Sequence, residues 1–176
     1  MDGEERFEVL LTEDEIQRRV RELGHEITRD YHGKDLVMVG ILKGACIFLS
    51  DLCRHVHLPL TLEFLGLSSY GDSTSSSGVV QITQDLTQPV VDRDVLVVED
   101  IVDTGLTLHF LLENFRVRKP KSVRVCTLLH KPSNTVRDVP LDYVGFTIEN
   151  RFVVGYGLDY EQRFRNLPYV GYVRMR

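Results

Sequence analysis

The chain has 176 residues, of which 43% are hydrophobic and 27% charged, and this composition predicts one globular domain with a substantial core. The formal net charge of -5 argues against a surface with general affinity for nucleic acid or for an anionic membrane. No apolar run reaches the length of a membrane span, and the polar, acidic N-terminus has no secretory apolar core. The three cysteines lack a C-x-x-C spacing, so we expect free thiols in a cytoplasmic protein. From the net charge we expect no nucleic-acid or membrane partner.

The first predicted element is an amphipathic helix over residues 12–31. Thr12 and Glu15 form the capping-box pattern at its start, where each side chain can bond the other residue's backbone amide. Apolar residues recur at helical spacing along one face. Gly33 follows as the residue that can end the helix in the left-handed conformation.

A buried strand is predicted over residues 35–42, followed by a turn and a second helix over about 46–55. Lys43 and Gly44 lie in this turn, at the carboxyl end of the strand, where ligands of open α/β sheets bind. Lys43 supplies a cation and Gly44 an accessible amide, which suit an anion. Such a turn is commonly only a turn, so this signal is weak without a second one beside it.

A third strand over residues 61–67 precedes a stretch of small polar residues over 68–78. This stretch has two glycines and one aromatic residue, and strand-like sequence resumes over 79–82. The stretch is therefore either the tip of a hairpin or a lid that closes over a ligand.

The centre of the chain combines a strand, an acidic turn and a helix. A continuous apolar run over residues 95–98 predicts a strand that is buried on both faces of a parallel sheet. Glu99 and Asp100 follow it directly, and Asp103 comes three residues later. Leucines and a phenylalanine at helical spacing over 108–115 predict the helix.

The residues between this strand and helix suit an anion and hydroxyl groups together. Gly105 permits close approach of the backbone, and the free amides of the first helical turn, with the hydroxyls of Thr104 and Thr107, suit a phosphate. Carboxylates beside a phosphate pocket indicate a ligand with hydroxyls, a bridging divalent cation, or both. A ribose phosphate meets these requirements. The alternative is a solvated acidic turn with an ordinary helix cap.

Residues 97–107, Val-Val-Glu-Asp-Ile-Val-Asp-Thr-Gly-Leu-Thr, resemble the phosphoribosyl-pyrophosphate motif of the type I phosphoribosyltransferases, and most closely the hypoxanthine-guanine branch. The resemblance implies a single α/β domain over residues 1–176, with a central, mainly parallel sheet of about five strands and helices on both faces. It also implies a flexible lid over about 68–78 and a small hood, formed by the C-terminal segment with part of the N-terminus. The lid would exclude water from a cation-like sugar centre.

Further strands are predicted over residues 122–129, 143–148 and 169–173, and the resemblance extends through them. On their residue types alone, Lys131 would be a loop lysine, Phe152 a core residue and Arg165 a surface charge. In the family, the matching lysine contacts the purine O6, the matching aromatic ring stacks on the purine, and the matching arginine grips pyrophosphate.

The family motifs assign a role to each candidate residue. The phosphoribose site is assigned to Glu99, Asp100, Asp103, Thr104, Gly105, Leu106 and Thr107. The pyrophosphate site is assigned to Lys43, Gly44, Ser69, Tyr70 and Arg165. The purine site is assigned to Ile101, Lys131, Phe152, Val153 and Asp159. The Mg²⁺ site is assigned to Glu99, Asp100 and Asp159. Asp103 is the expected general base, and a cis peptide is expected between Leu42 and Lys43.

The resemblance implies purine salvage: transfer of phosphoribosyl from phosphoribosyl pyrophosphate to N9 of hypoxanthine or guanine, with Mg²⁺, giving IMP or GMP and pyrophosphate. The implied partners are phosphoribosyl pyrophosphate, a 6-oxopurine base, the nucleoside monophosphate product and a second copy of the chain in a homodimer or homotetramer. Leu106 stands where some members have lysine, so loop amides and hydroxyls must hold the 5′-phosphate. Ala45 stands where they have glycine. The alternatives are a transferase for xanthine or another base, a non-catalytic phosphoribosyl-pyrophosphate-binding regulator, and a nucleotide-binding subunit.

Overall fold

The computed structural model describes residues 7–70 and 79–173. These residues form helices α1 (Glu13–Asp30), α2 (Cys46–Cys53) and α3 (Leu106–Val117). They also form strands β1 (Phe7–Leu11), β2 (Leu36–Leu42), β3 (Leu60–Tyr70), β4 (Val79–Gln84), β5 (Asp94–Val102), β6 (Ser122–His130), β7 (Tyr143–Thr147), β8 (Val153–Val154) and β9 (Val170–Val173). None of the helices in these ranges combines the length and apolar character needed to cross a membrane.

Six strands form the main sheet, in the order β4-β3-β2-β5-β6-β7. Five of them run parallel, and β4 returns antiparallel to β3. The predicted α/β architecture is confirmed, with one strand more than the five expected, because the segment after the polar stretch pairs along the sheet edge. The parallel order brings the carboxyl ends of β2, β5 and β6 to one edge of the sheet, where the candidate site lies.

Helices cover both faces of this sheet, as predicted. Alternate residues of β2 point to opposite faces: Leu36 and Met38 pack in one apolar core with α1 and α2, whereas Val37 and Val39 pack in the other with α3. This two-sided burial explains why the strand is a continuous apolar run in the sequence.

The start of α1 matches the sequence pattern. The Thr12 amide donates to the Glu15 carboxylate at 2.8 Å, and the Glu15 amide donates to the Thr12 hydroxyl at 3.3 Å. Gly33 has a φ of 74°, the left-handed conformation predicted after the helix. Both local predictions are therefore confirmed.

The central strand β5 continues further than predicted. Glu99 and Asp100 lie within it rather than in a turn after it. The reason is the partner strand β6, which pairs with β5 as far as Val102, opposite His130. Because side chains alternate along a strand, the two acids point to different sides of the sheet edge.

A second, three-stranded antiparallel sheet has the order β1-β9-β8. It joins the two ends of the described chain, with Phe7 opposite Val173 and Val153 opposite Tyr172. The ring of Phe7 also contacts the ring of Phe164 edge-on, with centroids 4.7 Å apart. This sheet is the hood that the resemblance implied, and β1 had no strand assigned from the sequence.

The polar stretch predicted to be a lid begins as regular structure. Strand β3 runs to Tyr70 and pairs with β4, with Ser68 opposite Gln81 and Ser69 opposite Val80. The prediction that a loop starts at residue 68 is therefore wrong, because pairing with β4 extends strand β3 to Tyr70. Residues 71–78 and the side chains of Ser69 and Tyr70 lie outside the described part, so the lid stays a prediction.

Candidate active site

Two adjoining cavities lie at the carboxyl edge of the main sheet. One, of about 350 Å³, is lined by residues from several parts of the chain: Ile41, Leu42, Lys43, Gly44, Leu67, Ser68, Val80, Glu99, Asp100, Ile101, Thr107, Asp159 and Arg165. The other, of about 210 Å³, is lined by Glu99, Ile101, Val102, Asp103, Thr104, Gly105, Thr107 and Leu108. The shared residues Glu99, Ile101 and Thr107 make the two cavities parts of one site.

The smaller cavity is built on the loop before α3. Gly105 caps the helix with a φ of 79°, and a Cβ there would lie 2.1 Å from the Arg137 carbonyl oxygen. The Thr104 carbonyl accepts hydrogen bonds from the amides of Val136 and Arg137, at 2.9 and 3.0 Å. The amides of the first turn of α3 have no intrahelical acceptor, so this loop presents donors to an anion.

Leu106 begins α3, and its side chain lines neither cavity. It is 39% exposed. Of the residues assigned to the phosphoribose site, it is the one whose side chain the structure leaves outside. Its hydrocarbon side chain supplies no charge, so the donors that this loop could offer to an anion are its amides and the hydroxyls of Thr104 and Thr107, which line the smaller cavity.

The paired acids have unusual electrostatics. Burial raises the pKa of Glu99 well above its ordinary value, and the nearby charge of Asp100 raises it further. Burial also raises the pKa of Asp100, to about 6. Two contacts lower this pKa and so limit the rise: the Ile101 amide, which donates to the carboxylate at 2.8 Å, and the positive charge of Arg165. Two successive carboxyls that resist ionisation fit a site where a cation or a ligand's hydroxyl donors arrive with the substrate.

The residues fit Mg²⁺ only in combination with substrate oxygens. No group of three or more His, Cys, Asp or Glu side chains in the described ranges is arranged to hold a metal by itself. Asp100 and Asp159 nevertheless line the same cavity, and oxygen ligands are what Mg²⁺ prefers. This donor set suits an ion bound through one or two carboxylates, substrate phosphates and water.

We predict that the efficiency kcat/KM for a phosphate ester of ribose falls as the pH drops below about 6, because that is the pKa of Asp100 in the free protein. When Asp100 is protonated, it accepts hydrogen bonds from ribose hydroxyls more weakly, and it also binds a cation more weakly. A pH profile of kcat/KM between pH 5 and 8 measures this, and an acid limb near pH 4 would contradict it.

The same shift affects stability in the opposite direction. The pKa of Asp100 in the folded chain lies above its unfolded value of about 4, so the unliganded fold loses stability as pH rises from about 4 to about 6. Thermal denaturation across this window, in wild type and in Asp100→Asn, checks the sign. The loss should be smaller in the variant, in which the buried Glu99 remains the other carboxyl with a raised pKa.

Two cations converge on the larger cavity. The Lys43 ammonium donates to the side-chain oxygen of Gln162 at 3.2 Å, and the Arg165 guanidinium donates to the same atom at 3.3 Å. Arg165 also pairs with Asp159 at 2.8 Å and donates to the Gly157 carbonyl at 2.7 Å. The structure thus places Lys43 and Arg165 on one side of the cavity, where a diphosphate would meet both. The expected cis peptide between Leu42 and Lys43 is present.

Lys131 is paired with Asp103, which lines the smaller cavity. The Lys131 ammonium is 3.6 Å from Asp103 Oδ2, and the lysine is only 6% exposed. At that distance the contact is an ion pair and not a hydrogen bond. Within residues 7–70 and 79–173 the structure gives this ammonium no hydrogen bond, so its donors are available to a ligand's acceptor atom.

Phe152 is not a core residue, contrary to the expectation from residue type alone. Its side chain is 56% exposed, and its ring meets Tyr160 edge-on with centroids 5.7 Å apart. Val153, next in sequence, is buried and paired with Tyr172 in the hood sheet. The hood therefore holds an exposed aromatic face on a rigid backbone, which suits stacking on a planar ligand.

Four residues of the site were missed at the level of sequence. Gln162 bridges the two cations, and Gly157 packs on Gly44. Asn134 donates both to Asp103 and to Asn150. Gly157 alone had a local signal, as the second glycine of a Gly-Tyr-Gly turn. An asparagine or glutamine in a loop gives none, because its role depends on which distant residue it faces.

Comparison with known proteins gives consistent matches. A family model described as the phosphoribosyl transferase domain matches residues 8–161. The chain is 54% identical over 169 residues to hypoxanthine-guanine phosphoribosyltransferase of Mycobacterium avium, covering 93% of this chain and 83% of that one. It is 51% identical over 166 residues to the enzyme of the same name from Bacillus subtilis, covering 94% and 92%. A crystal structure of a hypoxanthine phosphoribosyltransferase from Staphylococcus aureus superposes with a TM-score of 0.91 at 48% identity, covering 95% and 91%.

Proposed function

The chain belongs to the phosphoribosyl transferase family, and from this we propose that it is an enzyme of purine salvage that transfers phosphoribosyl from phosphoribosyl pyrophosphate to N9 of hypoxanthine or guanine. The products are IMP or GMP and pyrophosphate. The relatives named for this activity support the proposal over most of their length. The observation that carries it is the Lys131–Asp103 pair, a buried donor and an acceptor beside the carboxylates of β5. A 6-oxopurine offers a carbonyl to the first and an acidic N–H to the second.

The sugar phosphate lies along the end of β5 and the start of α3. Amides of the first turn of α3 and the Thr107 hydroxyl hold the 5′-phosphate. Glu99 and Asp100 accept hydrogen bonds from the 2′ and 3′ hydroxyls. Glu99, Asp100 and Asp159 would hold Mg²⁺ together with substrate oxygens, and the ion would supply positive charge to neutralise the pyrophosphate.

The leaving group lies against the cations of the larger cavity. Lys43, the Gly44 amide and Arg165 stabilise the negative charge that develops on pyrophosphate as its bond to C1′ breaks. The sugar becomes oxocarbenium-like, and a lid that carries Ser69 and Tyr70 excludes water from it.

The base lies between the hood and the Asp103 loop. Phe152 stacks on the purine, Lys131 donates to O6, and backbone groups around Val153 and Ile101 complete the pocket. As N9 bonds to C1′, the purine N7 proton passes to Asp103, which acts as general base. Pyrophosphate leaves with the electron pair of the broken C1′–O bond, so the electrons and protons of the step balance.

We further propose that the enzyme acts as a homodimer or homotetramer in the cytoplasm. The thiols of Cys46, Cys53 and Cys126 are free, which suits a reducing compartment. Sedimentation of the purified chain determines its oligomeric state.

Pyrophosphate release is the direct test of the proposed reaction. The chain is incubated with phosphoribosyl pyrophosphate, Mg²⁺ and, in turn, hypoxanthine, guanine, xanthine, adenine and uracil. We expect release with hypoxanthine and guanine, and none with adenine, because Lys131 needs a carbonyl acceptor at C6. We also expect loss of release when the metal is chelated. Binding of phosphoribosyl pyrophosphate without release for any base would overturn the proposal and favour a regulator.

A further inference from the structure

The Asp103 carboxylate is held on a second side, away from Lys131. The Asn134 side-chain amide donates to Asp103 Oδ1 at 2.7 Å and to the side-chain oxygen of Asn150 at 2.8 Å. Asn134 ends the short helical turn Pro132–Asn134 that follows Lys131. Asn150 lies two residues before Phe152, so this chain of bonds joins the loop of Asp103 to the hood.

The chemistry of the three groups determines how the Asn134 amide points. A carboxylate only accepts hydrogen bonds, so the Asn134 nitrogen, and not its oxygen, must face Asp103. The second hydrogen of the same nitrogen is directed to Asn150. Rotating the Asn134 amide by half a turn would place its oxygen against the Asp103 carboxylate, so Asp103 itself sets the orientation, and Asn150 supports it by accepting the second hydrogen of the same nitrogen.

This arrangement makes the two oxygens of Asp103 unequal. Oδ1 is tied to Asn134 by a short hydrogen bond to a charged acceptor, which is among the stronger kinds. Oδ2 faces Lys131 at 3.6 Å and accepts no hydrogen bond from it. When Lys131 donates to a purine carbonyl, Oδ2 remains as the atom available to take a proton.

We propose that Asn134 is a positioning residue for the transfer reaction: it fixes the Asp103 carboxylate so that Oδ2 faces N7 of the base, and Asn150 supports Asn134 in that orientation. This role rests on the proposed function, since it requires Asp103 to act as base. Misplacing a reacting group by about 1 Å can cost on the order of 100-fold in rate. A carboxylate free to rotate about its Cβ–Cγ bond is displaced on that scale.

The test compares single-turnover rates, with enzyme in excess over phosphoribosyl pyrophosphate and hypoxanthine, for wild type, Asn134→Ala and Asn134→Asp. We expect both variants to transfer about 10- to 100-fold more slowly, with the affinity for phosphoribosyl pyrophosphate within about twofold of wild type. Asn134→Asp keeps the shape of the side chain, so a loss there cannot come from a cavity. It also adds a negative charge beside Asp103, whereas Asn134→Ala removes the donor without adding a charge. Ser133→Ala, an exposed neighbour on the same turn, is the matched control and keeps the wild-type rate.

A double-mutant cycle with Asp103→Asn separates positioning from a structural role. If Asn134 acts through Asp103, adding Asn134→Ala to Asp103→Asn lowers the rate no further. An additional loss as large as in the single Asn134→Ala variant would overturn the proposal, and so would a wild-type rate in both single Asn134 variants. A wild type that releases no pyrophosphate would overturn the proposed function itself, so the two failures are distinguishable.

Discussion

Replacing Asp103 by Asn lowers the single-turnover rate of phosphoribosyl transfer by about 100- to 10,000-fold, the range typical for loss of a general base. Asparagine has nearly the shape of aspartate but cannot take a proton at neutral pH. Its side-chain oxygen can still accept from the Asn134 amide, which donates to Asp103 at 2.7 Å in the native chain. The loss should therefore fall on the chemical step, and the melting temperature should change little.

The matched control for this variant is Asp138→Asn, which removes the same charge from an exposed acid in the following loop. That control should keep the wild-type rate. Binding of phosphoribosyl pyrophosphate, measured by calorimetry, should survive in Asp103→Asn because the α3 amides and Thr107 are untouched. Wild-type turnover in Asp103→Asn would exclude Asp103 as the general base.

Replacing Gly44 by Ala lowers kcat/KM for phosphoribosyl pyrophosphate by about 100-fold or more, because there is no room for a methyl group. A Cβ on Gly44 would lie 1.7 Å from Asp100 Oδ2 and 2.5 Å from its Cγ. The Gly44 carbonyl oxygen is itself only 2.1 Å from where a Cβ on Gly157 would be. With backbone on one side and Asp100 on the other, the added methyl displaces the carboxylate from the site.

A matched glycine-to-alanine control lies far from the site. Gly33 has no atom within 4 Å of an added Cβ, and its left-handed φ makes Gly33→Ala cost about 1 kcal/mol of stability. That variant should melt earlier and keep wild-type kcat/KM. Gly44→Ala should instead keep the melting temperature and lower kcat/KM. A wild-type kcat/KM in Gly44→Ala would show that Asp100 does not need its native position.

Local sequence determined most of the elements of this fold. The apolar runs that became β2 and β5, the capping box of α1 and the helical spacing of α3 are all short-range patterns. Each reflects burial or a hydrogen bond between residues a few positions apart, so each can be recognised in the sequence without knowledge of the elements that pack against it. The acidic motif after residue 98 is likewise contiguous, which is why the strand edge that carries the candidate site could be identified from it.

Tertiary structure alone decided how these elements combine around the site. Pairing with β6 carried β5 past Glu99 and Asp100, and pairing with β9 made β1 a strand of the hood. The contact of Gly44 with Asp100 and the bond from Asn134 to Asp103 join residues 56 and 31 positions apart, respectively. Such contacts depend on the path of the backbone between the partners. A small polar or glycine residue has the same local pattern whether it faces solvent or a catalytic carboxylate, so only the assembled sheet edge reveals its role.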